Sequence, residues 1–172
     1  AELLDLLHAR KLDFVLSYKP LKDSPEIEAM PLFDNTLAVV VDNEHPLARC
    51  PKVALADLQN CNLVLPSVGL QARSMLDRLM EGKEFALSSK LELNETNILL
   101  QVVATGNYAT ILSTSAVFGN TRFKAVPIDE PGNVMQASLL SLRGAYQKAS
   151  AREFIKILLD TEAVKRRLMN CF

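Results

Sequence analysis

Apolar residues along the chain follow two patterns. Short, nearly continuous apolar runs, of which TLAVVV at 36–41 is the clearest, are typical of strands buried on both faces. Apolar residues spaced three and four positions apart predict helices with one buried face. The runs predict strands at 12–17, 27–33, 36–41, 62–65, 87–93, 108–112, 123–128 and 135–142, and the helical spacing predicts helices at 2–10, 71–80, 95–105, 151–159 and 162–168. This alternation of strands and helices predicts an α/β fold with mainly parallel sheets.

Polar segments divide these elements into two groups. The pair Asp34-Asn35 favours a turn between two strands, and the cluster EPGN at 130–133 is the clearest turn signal in the chain. Irregular stretches at 42–51 and 129–133 are predicted to cross between two lobes. The first lobe is then split, with residues 1–41 plus 134–172, and the second lobe is the continuous segment 42–133.

Composition excludes several classes of function. A formal net charge of −1 gives no basic surface of the kind that nucleic-acid binding requires, and no apolar run is long enough to span a bilayer. The three cysteines show no CxxC spacing, and only two histidines are present, so we predict reduced thiols, no metal site and no cofactor. The basic triplet KRR at 165–167 is interpreted as a solvated helix face.

The first candidate for binding is the loop SVGLQAR at 67–73, which lies between a predicted strand and a predicted helix. The N–H groups at a helix start attract anions, so Ser67, Val68 and Gly69 are candidate ligand contacts. Arg73 could supply a bidentate bond to a carboxylate. The structural alternative is that Ser67 only caps the helix and that Arg73 pairs with Asp77, four residues on.

Two further pairs of candidate ligand contacts lie at the ends of predicted strands. Gly106 is expected to end a helix in a left-handed conformation, which leaves Asn107 and Tyr108 to line a ligand cleft or to fill space. Ser17 and Tyr18 end a buried strand, and ligands of α/β sheets collect at such ends.

No catalytic constellation is present in the sequence. The loop at 67–69 is not a GxSxG elbow, the phosphate-binding patterns GxGxxG and GxxxxGK are absent, and no activated nucleophile with a base is evident. The sequence therefore predicts a binding protein that is not an enzyme.

The order of several short motifs resembles the effector-binding domain of LysR-type transcriptional regulators. The matching segments are KLDFVL at 11–16, PLF at 31–33 followed by 37–41, HPLA at 45–48, VALADL at 53–58, LLQVVATGNYA at 99–109 and SAREFIKIL at 150–158. Each motif is short, but their collinear order extends from about residue 1 to about residue 160. Tyr108 departs from the pattern where the family commonly has a glycine, and Ser113 departs where a proline often follows the strand.

This resemblance implies a specific function. The fold would be two-lobed and similar to periplasmic binding proteins, with a small-molecule effector, such as an organic acid, bound between the lobes and contacted by the loop at 67–69. The family further implies a homodimer or tetramer in the cytoplasm, without membrane association, and DNA contact only through a helix-turn-helix domain that this chain lacks. The first strand–helix–strand of the split lobe is also expected to be missing. The alternative is a solute-binding protein of a transport system with the same architecture.

Overall fold

The first of two compact units is built from both ends of the chain. The computed structural model describes residues 2–18 and 24–160, and the contacts of the described residues separate Ala1–Asp34 with Met135–Phe172 from Asn35–Val134. The elements of the first unit are α1 (Glu2–His8), β1 (Val15–Tyr18), β2 (Ile27–Asn35), β8 (Met135–Leu142) and α4 (Ala149–Asp160). Within the described residues the strands form one sheet in the order β1-β8-β2. The helix predicted at 162–168 lies outside the described residues.

Strand β8 is the middle strand of this sheet, and its successive side chains point to opposite faces. On one face Leu140 packs with Leu7 of α1 and with Val15 and Ile27 of the neighbouring strands. On the other face Leu139 packs with the apolar stripe of α4. Helices therefore cover both faces of the strand, which explains why β8 is buried along most of its length.

The second unit is a continuous segment with a larger sheet. Its elements are β3 (Leu37–Asp42), β4 (Leu63–Pro66), α2 (Gln71–Met80), β5 (Ser89–Leu93), α3 (Thr96–Val103), β6 (Ala109–Ser113) and β7 (Phe123–Pro127), with short 3-10 turns at Pro46–Arg49, Leu55–Asn60 and Thr114–Val117. The described strands are ordered β5-β4-β6-β3-β7. Residues Leu37 to Val41 are fully buried, as the run TLAVVV predicts.

The α/β class is confirmed, but the sheets are mixed and not mainly parallel. Strands β4, β5 and β6 are parallel, and the helices α2 and α3 make the crossovers between them. By contrast β3 is antiparallel to both β6 and β7, and β1 is antiparallel to β8. The parallel prediction was wrong for β3 because no α-helix connects it to the strand before or after it, so its connections do not impose a parallel direction.

The boundary between the units also differs from the one expected. The predicted first lobe included residues 36–41, whereas β3 pairs with β6 and β7 and therefore belongs to the second unit. The predicted turn at Asp34-Asn35 is absent, because both residues continue β2 and only Thr36 separates it from β3. The second boundary falls between Val134 and Met135, one residue beyond the predicted position.

Candidate functional site

The loop 67–70 joins the end of β4 to the start of α2. Gly69 has a φ of +97°, a left-handed conformation that glycine adopts without steric cost and other residues rarely adopt. The backbone of Ser67 anchors the turn, since its N–H donates to the Leu93 carbonyl at 2.9 Å and its carbonyl accepts from the Leu70 N–H at 3.2 Å. The loop therefore has a defined shape, held to β5 on one side and to its own helix on the other.

The start of α2 has no side-chain cap. Its N-cap position is occupied by Leu70, whose apolar side chain cannot accept a hydrogen bond. The Ser67 hydroxyl makes no hydrogen bond to any described residue, so the alternative in which Ser67 caps the helix is not seen. The first N–H groups of α2 thus remain available to an external acceptor. Val68 is 74% exposed beside them and offers an apolar contact.

Arg73 is engaged within the second unit. Its Nε donates to Asp77 Oδ1 at 2.8 Å, and its Nη1 donates to Glu92 Oε1 at 2.7 Å and to the Pro66 carbonyl at 3.2 Å. The pairing with Asp77 that the sequence left open is therefore present. The bond to Glu92, followed by the pairing with Asp77, raises the pKa of the guanidinium above its ordinary value. In this geometry Arg73 fixes the position where β4 ends and the loop begins.

A cluster of hydroxyl and amide groups lies at the same edge of the sheet as the loop. Because β4 and β6 are parallel neighbours, with Leu63 opposite Ala109, the carboxyl ends of both strands meet at one edge. Strand β6 ends at Ser113, and Thr114 and Ser115 follow it. Strand β3 runs the other way and brings its amino end, preceded by Asn35, to this edge.

Hydrogen bonds order this cluster, which we call the polar edge (Asn35, Ser113, Thr114 and Ser115). Asn35 Nδ2 donates to Ser115 Oγ at 2.8 Å, and Asn35 Oδ1 accepts from Thr114 Oγ1 at 2.5 Å and from the Thr36 N–H at 2.9 Å. The hydroxyls of Ser113 and Ser115 lie 3.1 Å apart. The polar edge carries no formal charge and presents both donors and acceptors.

Sequence reasoning missed the polar edge. The rule that ligands collect at the carboxyl ends of strands predicts Ser17 and Tyr18 as contacts, and it holds equally for the strand predicted at 108–112. Its application there would have pointed to Ser113, Thr114 and Ser115. Asn35 was hidden by its interpretation as part of a turn.

Asn107 and Tyr108 lie at the opposite edge of the sheet from Ser67. They precede β6, and the amino end of a parallel strand is opposite to its carboxyl end. Tyr108 packs against Val64, Leu99 and Val103 and so fills space in the core. The expectation that these two residues share a cleft with Ser67 is therefore corrected, because the turn at Gly106 returns the chain to the start of a strand.

Ser17 and Tyr18 belong to the first unit, where they end β1. Ser17 lies opposite Ser138 in the antiparallel pairing with β8, and Tyr18 lies opposite Ala137. Ser138 is fully buried, and its hydroxyl has no hydrogen-bond partner among the described residues. Side chains directly opposite in antiparallel strands share a face, so the two serine hydroxyls are neighbours.

The architecture of the two units is that of a two-lobed α/β binding domain. The model of the family described as the LysR substrate binding domain matches residues 1–163, and the chain belongs to this family. The resemblance inferred from the order of the motifs is thereby confirmed. Among the described residues, no helix is both long and apolar enough to cross a membrane.

Sequence comparison relates this chain to transcriptional regulators. The RuBisCO operon transcriptional regulator of Allochromatium vinosum is 24% identical over 115 residues, which are 67% of this chain and 38% of that protein. This chain therefore spans less than half of that regulator's length.

Two solved structures illustrate the shared fold. The regulatory domain of CcmR from Synechocystis PCC6803, in complex with 2-PG, has a TM-score of 0.82 at 19% identity. The superposition covers 97% of this chain and 80% of the CcmR chain. The effector-binding domain of QuiR, in complex with shikimate, has a TM-score of 0.78 at 22% identity, and the superposition covers 92% of this chain and 75% of the QuiR chain. At these identities the likeness establishes the fold alone.

Proposed function

We propose that this chain is the effector-sensing domain of a LysR-type transcriptional regulator. We further propose that the effector contacts both the loop 67–70 and the polar edge, which lie at the same edge of the larger sheet. The observation that carries the proposal is the convergence of an uncapped helix start with a cluster of hydroxyl groups at the carboxyl ends of β4 and β6. Family membership supports it independently. Ser67 and Val68 are the proposed direct contacts, Gly69 allows the turn, and Arg73 positions the loop.

The chemistry of this edge favours a small organic acid with hydroxyl groups. The N–H groups and dipole of the α2 start favour a carboxylate. The uncharged polar edge favours hydroxyl groups, which match its mixed donors and acceptors. A binding preference of a few kcal/mol for one conformation of the regulator is sufficient to shift its equilibrium.

A thermal-shift screen of carboxylates against hydroxylated and plain analogues tests this proposal. We expect at least one hydroxy acid to raise the Tm of the chain, since a ligand that binds only the folded state stabilises it. Ser67→Ala should reduce this rise, whereas Ser150→Ala, an exposed position on α4, should leave it unchanged. Stabilising acids whose effect is the same in Ser67→Ala and wild type would overturn the assignment of the site.

The same proposal includes the partners and setting of the full regulator. We propose a cytoplasmic, non-catalytic protein that forms a homodimer or tetramer and contacts DNA through a helix-turn-helix domain outside this chain. Ser17 and Tyr18 remain proposed effector contacts from the first unit. Sedimentation at micromolar concentration tests the assembly: dimers or tetramers support it, and a monomer at every concentration contradicts it.

A further inference from the structure

A polar cavity lies in the first unit, and none of the residues proposed above lines it. It has a volume of about 540 Å³ and is lined by the end of α1 and by the turn that follows β8. Its charged and titratable lining consists of His8, Arg10, Glu26 and Arg143. A smaller cavity of about 240 Å³ adjoins it and shares Arg10, Leu142 and Ala145.

The two arginines of this cavity are not neutralised. Neither Arg10 nor Arg143 makes a side-chain hydrogen bond or ion pair with any described residue. Of the other described arginines, Arg73 pairs with two carboxylates and Arg122 pairs with Asp42, whereas the exposed Arg49, Arg78 and Arg152 are unpaired like these two but line no shared cavity with a carboxylate. A guanidinium keeps its charge at any relevant pH and offers a planar fork of donors to an oxyanion.

The backbone also distinguishes Arg10. Its φ of +55° makes it the one residue other than glycine with a left-handed conformation among the described residues. This conformation ends α1, with the Arg10 N–H donating to the Leu7 carbonyl at 3.0 Å and the Lys11 N–H donating to the Leu6 carbonyl at 2.9 Å. Glycine is the usual residue at such a helix end, so an arginine here accepts strain that a glycine would avoid.

Arg143 is fixed by a separate contact. Its N–H donates to the Glu26 carbonyl at 2.8 Å, which holds the turn after β8 against the start of β2. The Glu26 carboxylate is the one acidic group of the lining, and it lies 3.4 Å from His8 Nε2. Two unpaired arginines and one partly compensated carboxylate thus line the same cavity.

We propose that this cavity is a second binding site, which takes a small metabolite carrying a carboxylate or phosphate group on a hydroxylated skeleton. Arg10 and Arg143 bind the oxyanion, Glu26 accepts hydrogen bonds from hydroxyl groups, and Leu142 and Ala145 provide the apolar wall. The volume lies within the range of small-molecule sites, about 300–1,000 Å³. The site is separate from the loop 67–70 and does not depend on the function proposed for that loop.

Calorimetric titration of the whole chain with malate and with glycerol 3-phosphate tests this site. We expect saturable binding of at least one probe that weakens about tenfold or more in Arg10→Gln and in Arg143→Gln, since each change removes a charge-assisted hydrogen bond. Arg152→Gln is the matched control, because Arg152 is an exposed arginine of the same unit outside the cavity. Binding should be unchanged in this variant.

Arg10→Gly separates the guanidinium from the backbone. Glycine relieves the left-handed conformation but removes the charge, so we expect a folded chain with the same loss of affinity. Wild-type affinity in Arg10→Gly and Arg143→Gln, or no saturable binding of either probe by wild type, would overturn the proposal. Loss of probe binding in Ser67→Ala would also overturn it, because the probe would then occupy the loop 67–70.

Discussion

Glu92 on β5 accepts a 2.7 Å hydrogen bond from Nη1 of Arg73 on α2, and the same nitrogen reaches the carbonyl of Pro66. One guanidinium thus connects an edge strand, the end of the neighbouring strand and the helix between them. The Arg73 side chain is only 16% exposed, so water replaces these bonds poorly. The position of the loop 67–70 depends on this connection.

Arg73→Ala is expected to destabilise the second unit by about 1–2 kcal/mol, because charge-assisted bonds are lost from a largely buried group while both carboxylate partners stay half exposed. Equilibrium urea unfolding measures this difference. Arg78→Ala is the control, since Arg78 is an exposed arginine of the same helix. Equal losses for the two variants would show that the network around Arg73 contributes nothing.

Asn133→Ala is expected to cost about 2–4 kcal/mol, since it leaves buried backbone groups without partners. Asn133 Oδ1 accepts from the Leu37 N–H at 2.8 Å, and its Nδ2 donates to the carbonyls of Leu37 and Ile128 at 2.9 Å and 3.2 Å. The Tm of Asn133→Ala should fall well below that of Asn97→Ala, which changes an exposed residue of α3. Matching Tm values would show that the hydrogen bonds of Asn133 to Leu37 and Ile128 contribute nothing to stability.

Ser113→Ala should weaken effector binding, whereas Tyr108→Phe should leave it unchanged. Ser113 ends β6 at the edge where the loop 67–70 lies, and Tyr108 precedes β6 at the other edge. Phenylalanine keeps the packing of Tyr108 against Leu99 and Val103, so folding is preserved. Calorimetry with a stabilising acid from the screen measures both affinities. A loss of affinity in Tyr108→Phe with no loss in Ser113→Ala would place the site at the edge of Tyr108 and contradict the proposal.

His45 should make stability fall as the solution becomes acidic. Burial lowers its pKa below the ordinary 6.5, against a smaller opposing effect of Asp42, and its Nδ1 accepts the Leu47 N–H at 3.2 Å. Between the lowered folded pKa and 6.5 the unfolded chain binds more protons, so the free energy of unfolding drops as pH falls through 6.5. Thermal unfolding from pH 7.5 to 5 measures this drop.

The matched variants for this pH effect are His45→Asn and His8→Asn. Asparagine at position 45 keeps an acceptor for the Leu47 N–H but does not titrate, so the drop should shrink. His8→Asn changes the other histidine and should keep the wild-type difference at His45. If both variants follow the wild-type curve, His45 is not the responsible group.

Sequence patterns predicted the positions of most helices and strands, because the local spacing of apolar side chains determines which face of an element is buried. The run at 36–41 became the buried β3, and the spacing at 71–80 became α2. The direction of β3 was harder to predict from the sequence. No α-helix connects β3 to the strand before or after it, and its antiparallel partners on β6 lie 68 to 76 positions further along the chain. The same long-range pairing moved β3 into the second unit.

The candidate site was predicted in part for a related reason. The Ser67 loop follows a strand and precedes a helix, so its chemistry is visible locally. The polar edge is assembled from two distant parts of the chain, since Asn35 and its partner Ser115 are 80 positions apart. Tyr108 stood out only as a departure from a family pattern, and that departure is explained by packing with Val64.

The central claim is that the effector contacts the loop 67–70 and the start of α2. The most direct test is a ¹⁵N-resolved NMR titration of the chain with a stabilising hydroxy acid. We expect the largest amide shifts at Val68, Gly69 and Ala72, with Ser113 and Ser115 following and Asn107 unchanged. Amide shifts that leave residues 67–72 unaffected at saturating ligand would contradict the account.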